Sequence, residues 1–170
     1  RAALLKDYRD MHVVSRNLIG SSLAQREFHI LRRLKGVQGI PRAYCLIGRR
    51  ALLMEHIEGK TIQRCKSGEL PDQVFDRLCA LVRTIHTRGV VHLDLRHKKN
   101  ILITAEGQPT VIDFAGAFRR EGPLGFLWQA LLHIDRSALL KIKNRNFQHL
   151  VTEADRRAIR RHRFLRRIWA

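Results

Sequence analysis

Cysteine, proline and acidic side chains are all scarce in this 170-residue chain. The three cysteines, Cys45, Cys65 and Cys79, form no Cys-x-x-Cys pair, so neither a zinc site nor a disulfide framework is indicated and a reducing compartment is expected. With only 11 glycines and 4 prolines beside 45% hydrophobic residues, wholesale disorder and low-complexity architecture are excluded. No apolar run reaches the ~18 residues of a membrane span. The best candidate, Leu124 to Leu140, is interrupted by His133, Asp135 and Arg136. No charged-then-apolar leader is visible either, and the chain starts at Arg1 rather than Met, which gives the expectation that the natural N-terminus lies upstream.

What is present is enough apolar residue, 45%, to bury a core, and an excess of cations that gives a net charge of +18. This length supports one compact domain or two small lobes. Turn signals divide the chain near Gly59. In the first part, Ala2–Tyr8 reads as a strand, and Gly20-Ser21-Ser22 opens a helix to about Leu34, with Ser22 and Gln25 at capping-box spacing. Arg42–Ile47 and Arg50–Ile57 read as strands paired around Gly48. In the second part, Val74, Leu78, Leu81 and Ile85 recur at helical spacing over Asp72–Arg88, between Pro71 and Gly89. Ile101–Thr104 and Pro109–Ile112 form a predicted hairpin, and Leu124–Lys143 and Glu153–Ala170 read as helices.

Chemistry concentrates between His92 and Phe114. The predicted hairpin starts after Asn100 and ends before Asp113, so antiparallel pairing returns these two side chains to one end of it. An amide oxygen and a carboxylate suit Mg²⁺, which takes few protein oxygens and completes its shell with water and phosphate. Asp94, in the preceding loop, adds a third oxygen-bearing side chain near the same point. Singly, these Asp and Asn residues could be no more than caps or turn residues.

The run His92-Leu93-Asp94, then Asn100, then Asp113-Phe114-Ala115 resembles the protein-kinase-like superfamily, with its His-x-Asp loop, its Asn and its Asp-Phe-Gly. The details resemble small bacterial kinases related to the lipopolysaccharide core kinases (Kdo/WaaP-type) and to RIO-like Ser/Thr kinases. The resemblance implies that Asp94 orients or deprotonates the accepting hydroxyl, that Asn100 and Asp113 hold Mg²⁺ on the phosphates of ATP, and that Arg96 steadies the transferring phosphoryl group. His92 is implied to hold the loop together. It also implies that Lys6 pairs with Glu27 on the following helix and contacts phosphates, and that backbone groups near Glu55 and Ile57 meet adenine. Read from the residues alone, Glu27 lies on the stripe of Leu23, Ile30, Leu31 and Leu34 and so needs a partner. A surface Lys6–Glu27 ion pair of little worth is the plainer alternative.

Two departures stand out. Asp94 and Asn100 are six residues apart, against five in the usual kinase loop, so Lys98 or Lys99 is expected to bulge. Ala115 replaces the glycine of the metal loop. The glycine-rich loop expected before Lys6 would lie upstream of Arg1, or be missing altogether. No Ala-Pro-Glu signature follows Phe114.

The resemblance implies an α+β, protein-kinase-like fold. It comprises a sheet-plus-helix N-lobe, residues 1–59, that reads as truncated and carries the hinge, and a mainly helical C-lobe, residues 60–170. The implied activity is ATP- and Mg²⁺-dependent transfer of a phosphoryl group to a hydroxyl, either Ser/Thr of a protein or a lipopolysaccharide core sugar. Two rival readings stand beside it: a catalytically degenerate binding module, and an RNA- or ribosome-associated RIO-like protein. Seven arginines lie between Asp155 and Ala170, with Ala158, Ile159, Leu165, Ile168 and Trp169 on one helical face. Such a helix packs on the lower lobe with its arginines solvated, contacts an anionic membrane, or contacts RNA. The expected location is the cytoplasm, including the inner face of its membrane.

Overall fold

The computed structural model describes residues 2–8, 20–122 and 125–168, with side chains at all of them except 20–22, 125 and 161–168. Strand β1 (Ala3–Asp7) precedes helix α1 (Gly20–Arg33) and the hairpin β2 (Ala43–Ile47) and β3 (Ala51–Glu55). These strands form one antiparallel sheet in the order β1-β3-β2, with Lys6 opposite Leu52. Gly48 turns the hairpin at φ +61°, a conformation that a side chain would oppose. Helix α1 lays Ala24, Glu27, Ile30 and Leu31 inward. It already includes Gly20, so Ser22 lies inside the helix and is not its cap, which corrects the capping-box expectation. The side chain of Ser22 lies outside the described residues.

The remainder comprises β4 (Lys60–Thr61), α2 (Asp72–Thr87), β5 (Val90–Val91), β6 (Ile101–Ile103), β7 (Pro109–Val111), β8 (Phe118–Arg119), α3 (Gly125–Asn146) and α4 (Glu153–Ile168). Besides its helices this lower part carries two small sheets, β4-β6-β7 and β5-β8. The β6–β7 hairpin pairs Ile101 with Val111. Immediately beyond it the Ile112 amide donates to the Asn100 carbonyl at 2.9 Å. The loop after α1 is pinned to the same hairpin, because the Val111 amide donates to the Gly39 carbonyl at 2.9 Å. A Cβ at Gly39 would fall 2.6 Å from the Pro109 carbonyl oxygen, so only glycine fits.

One continuous core joins upper and lower parts, running from Ile30, Leu31, Leu34, Leu52 and Met54 to Leu78, Ile85, Ile101, Phe114 and Phe147. A smaller cluster of Val91, Trp128 and Leu132 seats the start of α3 under β5. Helix α4 begins with reciprocal capping. The Thr152 hydroxyl accepts the Asp155 amide at 3.2 Å, and the Asp155 carboxylate accepts the Thr152 amide at 2.9 Å. Lys143 ties the helix to α3 through Asp155 at 2.7 Å. Ala158 and Ile159 are half-buried while Arg156, Arg157 and Arg160 face solvent. The side chains of Leu165, Ile168 and Trp169 lie outside the described residues. Among the described residues no helix is long and apolar enough to cross a membrane.

Candidate active site

Two carboxylates meet on one ammonium. Lys6 Nζ donates to Glu27 Oε2 at 2.9 Å and Oε1 at 3.1 Å, and to Asp113 Oδ1 at 2.6 Å. Alternation along β1 points Lys6 toward α1, and the helical stripe brings Glu27 to meet it. Glu27 is fully buried. Its charge is matched by Lys6, by the Tyr8 hydroxyl and by the Phe114 amide, which donates to Oε1 at 2.8 Å. Burial with several donors is what a buried carboxylate requires. Burial works to raise the Asp113 pKa, but the hydrogen bond and charge of Lys6 outweigh it and hold the carboxyl below its usual value. Burial first, and then the Glu27 charge, pushes the Tyr8 hydroxyl strongly up.

Asp113 stands at φ +64°, a left-handed conformation that Asp tolerates better than most residues. Ala115 is not among the residues with positive φ, so alanine in place of glycine introduces no backbone strain there.

Asp94 stands on a loop braced from beneath. The Asn100 side-chain nitrogen donates to Asp94 Oδ2 at 2.9 Å and to the Asp94 carbonyl at 3.1 Å, while His97 Nδ1 contacts Oδ1. The additional residue between Asp94 and Asn100 is absorbed by consecutive turns. The His97 amide bonds the Asp94 carbonyl at 3.2 Å, and the Asn100 amide bonds the His97 carbonyl at 2.8 Å. Lys98 is half-buried, and burial followed by the nearby Arg145 charge lowers its pKa. Lys99 is exposed. His92 is buried against Phe114 with ring centroids 4.7 Å apart. Its Nδ1 accepts the Asp94 amide at 3.2 Å, so Nε2 carries the hydrogen given to the Ile112 carbonyl at 3.0 Å. Desolvation lowers the His92 pKa, which keeps this ring neutral.

A cavity of about 370 Å³ opens between the two parts. Leu4, Met54, Leu102 and Ile112 are among its apolar lining, and Lys6, Asn100, Asp113 and Lys99 among its polar lining. Glu55 and Ile57 line it as well. The Glu55 amide is already committed to the Arg42 carbonyl at 2.8 Å, so it is not the donor an adenine ring would use. Asp94 reaches the cavity through Asn100, whereas Arg96 points into solvent and does not line it. Among the described residues no three His, Cys, Asp or Glu side chains gather as a metal cage. The polar lining does offer the donor set of a hard cation. The Asn100 nitrogen is spent on Asp94, which turns its oxygen to the ligand role, and Asp113 supplies a carboxylate held ionised.

The RIO domain family model matches residues 4–156, nearly the whole of this arrangement. The chain belongs to the RIO domain family. Among solved structures, this RIO domain is similar to the Rio2 kinase from Chaetomium thermophilum in an ADP/Mg²⁺-phosphoaspartate complex, with a TM-score of 0.66 and 20% identity. That alignment covers 85% of this chain and 44% of the other, and it speaks to the fold, which is protein-kinase-like. Serine/threonine-protein kinase PknD of Chlamydia trachomatis serovar D is 43% identical over 44 residues, 26% of this chain and 5% of that protein. Its Chlamydia muridarum counterpart is 34% identical over 71 residues, 42% of this chain and 7% of that protein. This RIO domain therefore spans well under half the length of these relatives.

Sequence reasoning missed three side chains of the RIO domain's site. Asp135, fully buried on α3, accepts the His92 amide at 2.8 Å, the Leu93 amide at 2.9 Å and His86 Nε2 at 2.9 Å. Its signal was present, since Asp135 falls on the buried stripe of Trp128, Leu132, Ala138 and Ile142 just as Glu27 falls on that of α1. Tyr8 closes the Glu27 cluster and His97 contacts Asp94, and neither carries a pattern of its own in the sequence.

Proposed function

We propose that this RIO domain is an ATP- and Mg²⁺-dependent kinase that transfers the γ-phosphoryl group to a hydroxyl. The observation that carries the reading is Lys6 bridging Glu27 and Asp113 at the polar end of a cavity whose rim holds Asn100 on Asp94. Lys6 would meet the phosphates, and the peptide groups between Glu55 and Ile57 would meet the base, with the Glu55 carbonyl rather than its committed amide as partner. Asn100 and Asp113 would hold Mg²⁺, which supplies charge neutralisation to the phosphate oxygens. Asp94 orients the acceptor and takes its proton as the hydroxyl oxygen bonds the γ-phosphorus and the bond to the bridging oxygen of the β-phosphate breaks, releasing ADP. Arg96, on the solvent side of Asp94, would reach the transferring group only once an acceptor covers the loop.

For the acceptor, the name of the Chlamydia relatives supports Ser or Thr of a protein. The lipopolysaccharide core sugar has the same chemistry and is the second acceptor to assay. The deciding experiment is Asp113→Asn, which exchanges a ligand without changing volume. Expected is loss of Mg²⁺-dependent nucleotide binding and of transfer with the thermal transition retained. Nucleotide binding and transfer unchanged in the variant would refute the metal assignment. A wild-type chain that binds nucleotide without transferring phosphate would establish the binding-module reading.

A further inference from the structure

The geometry points to Lys99 as a second phosphate-binding cation of the nucleotide cavity, brought there by the one-residue expansion of the loop between Asp94 and Asn100. This inference rests on the nucleotide reading of the cavity and adds to it a residue outside the kinase pattern.

Three observations carry it. An ammonium has three N–H donors, and Nζ of Lys6 already has three carboxylate oxygens within 3.1 Å, two from Glu27 and one from Asp113. Lys6 thus shares its charge with two carboxylates before it meets any phosphate. With Asp94 beside Asn100, the acids at this end outnumber Lys6, so apart from the Mg²⁺ that Asn100 and Asp113 would hold, a chain of phosphates meets little positive charge from the protein. Among the described residues Lys99 is the other ammonium lining the cavity, next in sequence to Asn100, which lines it too. It is exposed, and among the described residues it has no hydrogen bond or ion pair. Finally, the loop geometry separates the two neighbouring lysines. The Lys98–Asn100 turn sends Lys98 into a half-buried place beside Arg145 and leaves Lys99 on the cavity side. Removing one residue from that turn would change which side chain precedes Asn100 at the cavity.

An unpaired lysine beside a polyphosphate acts as a charge-assisted donor. Binding would then depend on Lys99 in proportion to the phosphates the ligand carries, and not on its base. The test measures dissociation constants of ATP, ADP and adenosine with Mg²⁺ on the full chain, for wild type, Lys99→Ala, Lys99→Arg and Arg49→Ala. Arg49 is exposed in the β2–β3 turn, outside the residues lining the cavity, and controls for the loss of one positive charge from the surface. Expected for Lys99→Ala is about tenfold or greater weakening toward ATP and ADP, adenosine unchanged, and most of the affinity kept by Lys99→Arg. ATP and ADP binding equal to wild type in Lys99→Ala would overturn the assignment while leaving the nucleotide reading intact. Equal weakening toward adenosine, or an equal loss in Arg49→Ala, would overturn it too. If wild type binds no nucleotide at all, the reading of the cavity fails first and the assignment with it.

Discussion

Asp135 holds Leu93 in a left-handed conformation: its carboxylate accepts the Leu93 amide at 2.9 Å, and Leu93 stands at φ +65°. A bulky side chain there costs roughly 1–3 kcal/mol, and the neighbouring bond from the His92 amide to the same carboxylate helps fix the turn. The next residue is Asp94, so a buried acid on α3 decides where the proposed base points.

Replacement of Asp135 should therefore affect stability and site geometry together. Asp135→Ala strands the buried His92 amide and the partly buried Leu93 amide, and an unsatisfied buried group costs about 1–3 kcal/mol. Urea denaturation should show a loss of several times RT, and transfer should fall even at temperatures where the variant stays folded. Wild-type stability in this variant would mean that the amides find other partners.

Lys6 and Glu27 should behave as a coupled pair. Lys6→Met and Glu27→Gln in a double-mutant cycle are expected to give a coupling of about 0.5–3 kcal/mol. The Lys6 side chain is a quarter exposed, which favours the lower half of that range. Additivity in equilibrium unfolding would show that the contact contributes nothing.

His92 makes stability depend on pH. Its folded pKa is lowered by burial, so below the ordinary histidine value the unfolded chain binds a proton that the folded one refuses. Its contribution is complete above about pH 6.5 and declines as pH falls toward the lowered value. Unfolding free energies between pH 7.5 and 5 should fall, with a smaller slope in His92→Gln. An identical slope in the variant would assign the effect to the other histidines.

We propose anionic lipid as a partner for the basic face of α4. Arg156, Arg157 and Arg160 are exposed, and each near headgroups contributes about 1 kcal/mol. The full chain should sediment with phosphatidylserine vesicles at low salt, release as salt rises, and bind much less when these three arginines are changed to glutamine. Equal sedimentation of both chains would reject the role, and an arginine-dependent RNA shift without lipid binding would favour the nucleic-acid reading.

Local periodicity made much of this fold legible. The stripe of α2, the β6–β7 hairpin and the burial of Glu27 on α1 all follow from spacing within a dozen or so residues, where backbone geometry leaves few choices. The meeting of Asn100 and Asp113 is of this kind, because a short hairpin returns its ends to each other. Tertiary structure alone decided the rest. The pairings of β4 with β6 and of β5 with β8 involve two-residue strands, too short to show any period. Tyr8 on Glu27, His97 on Asp94, Arg96 outside the cavity and Asp135 under Leu93 depend on how elements distant in sequence pack. A side chain's period places it on a face, but only the packed neighbour determines what that face meets.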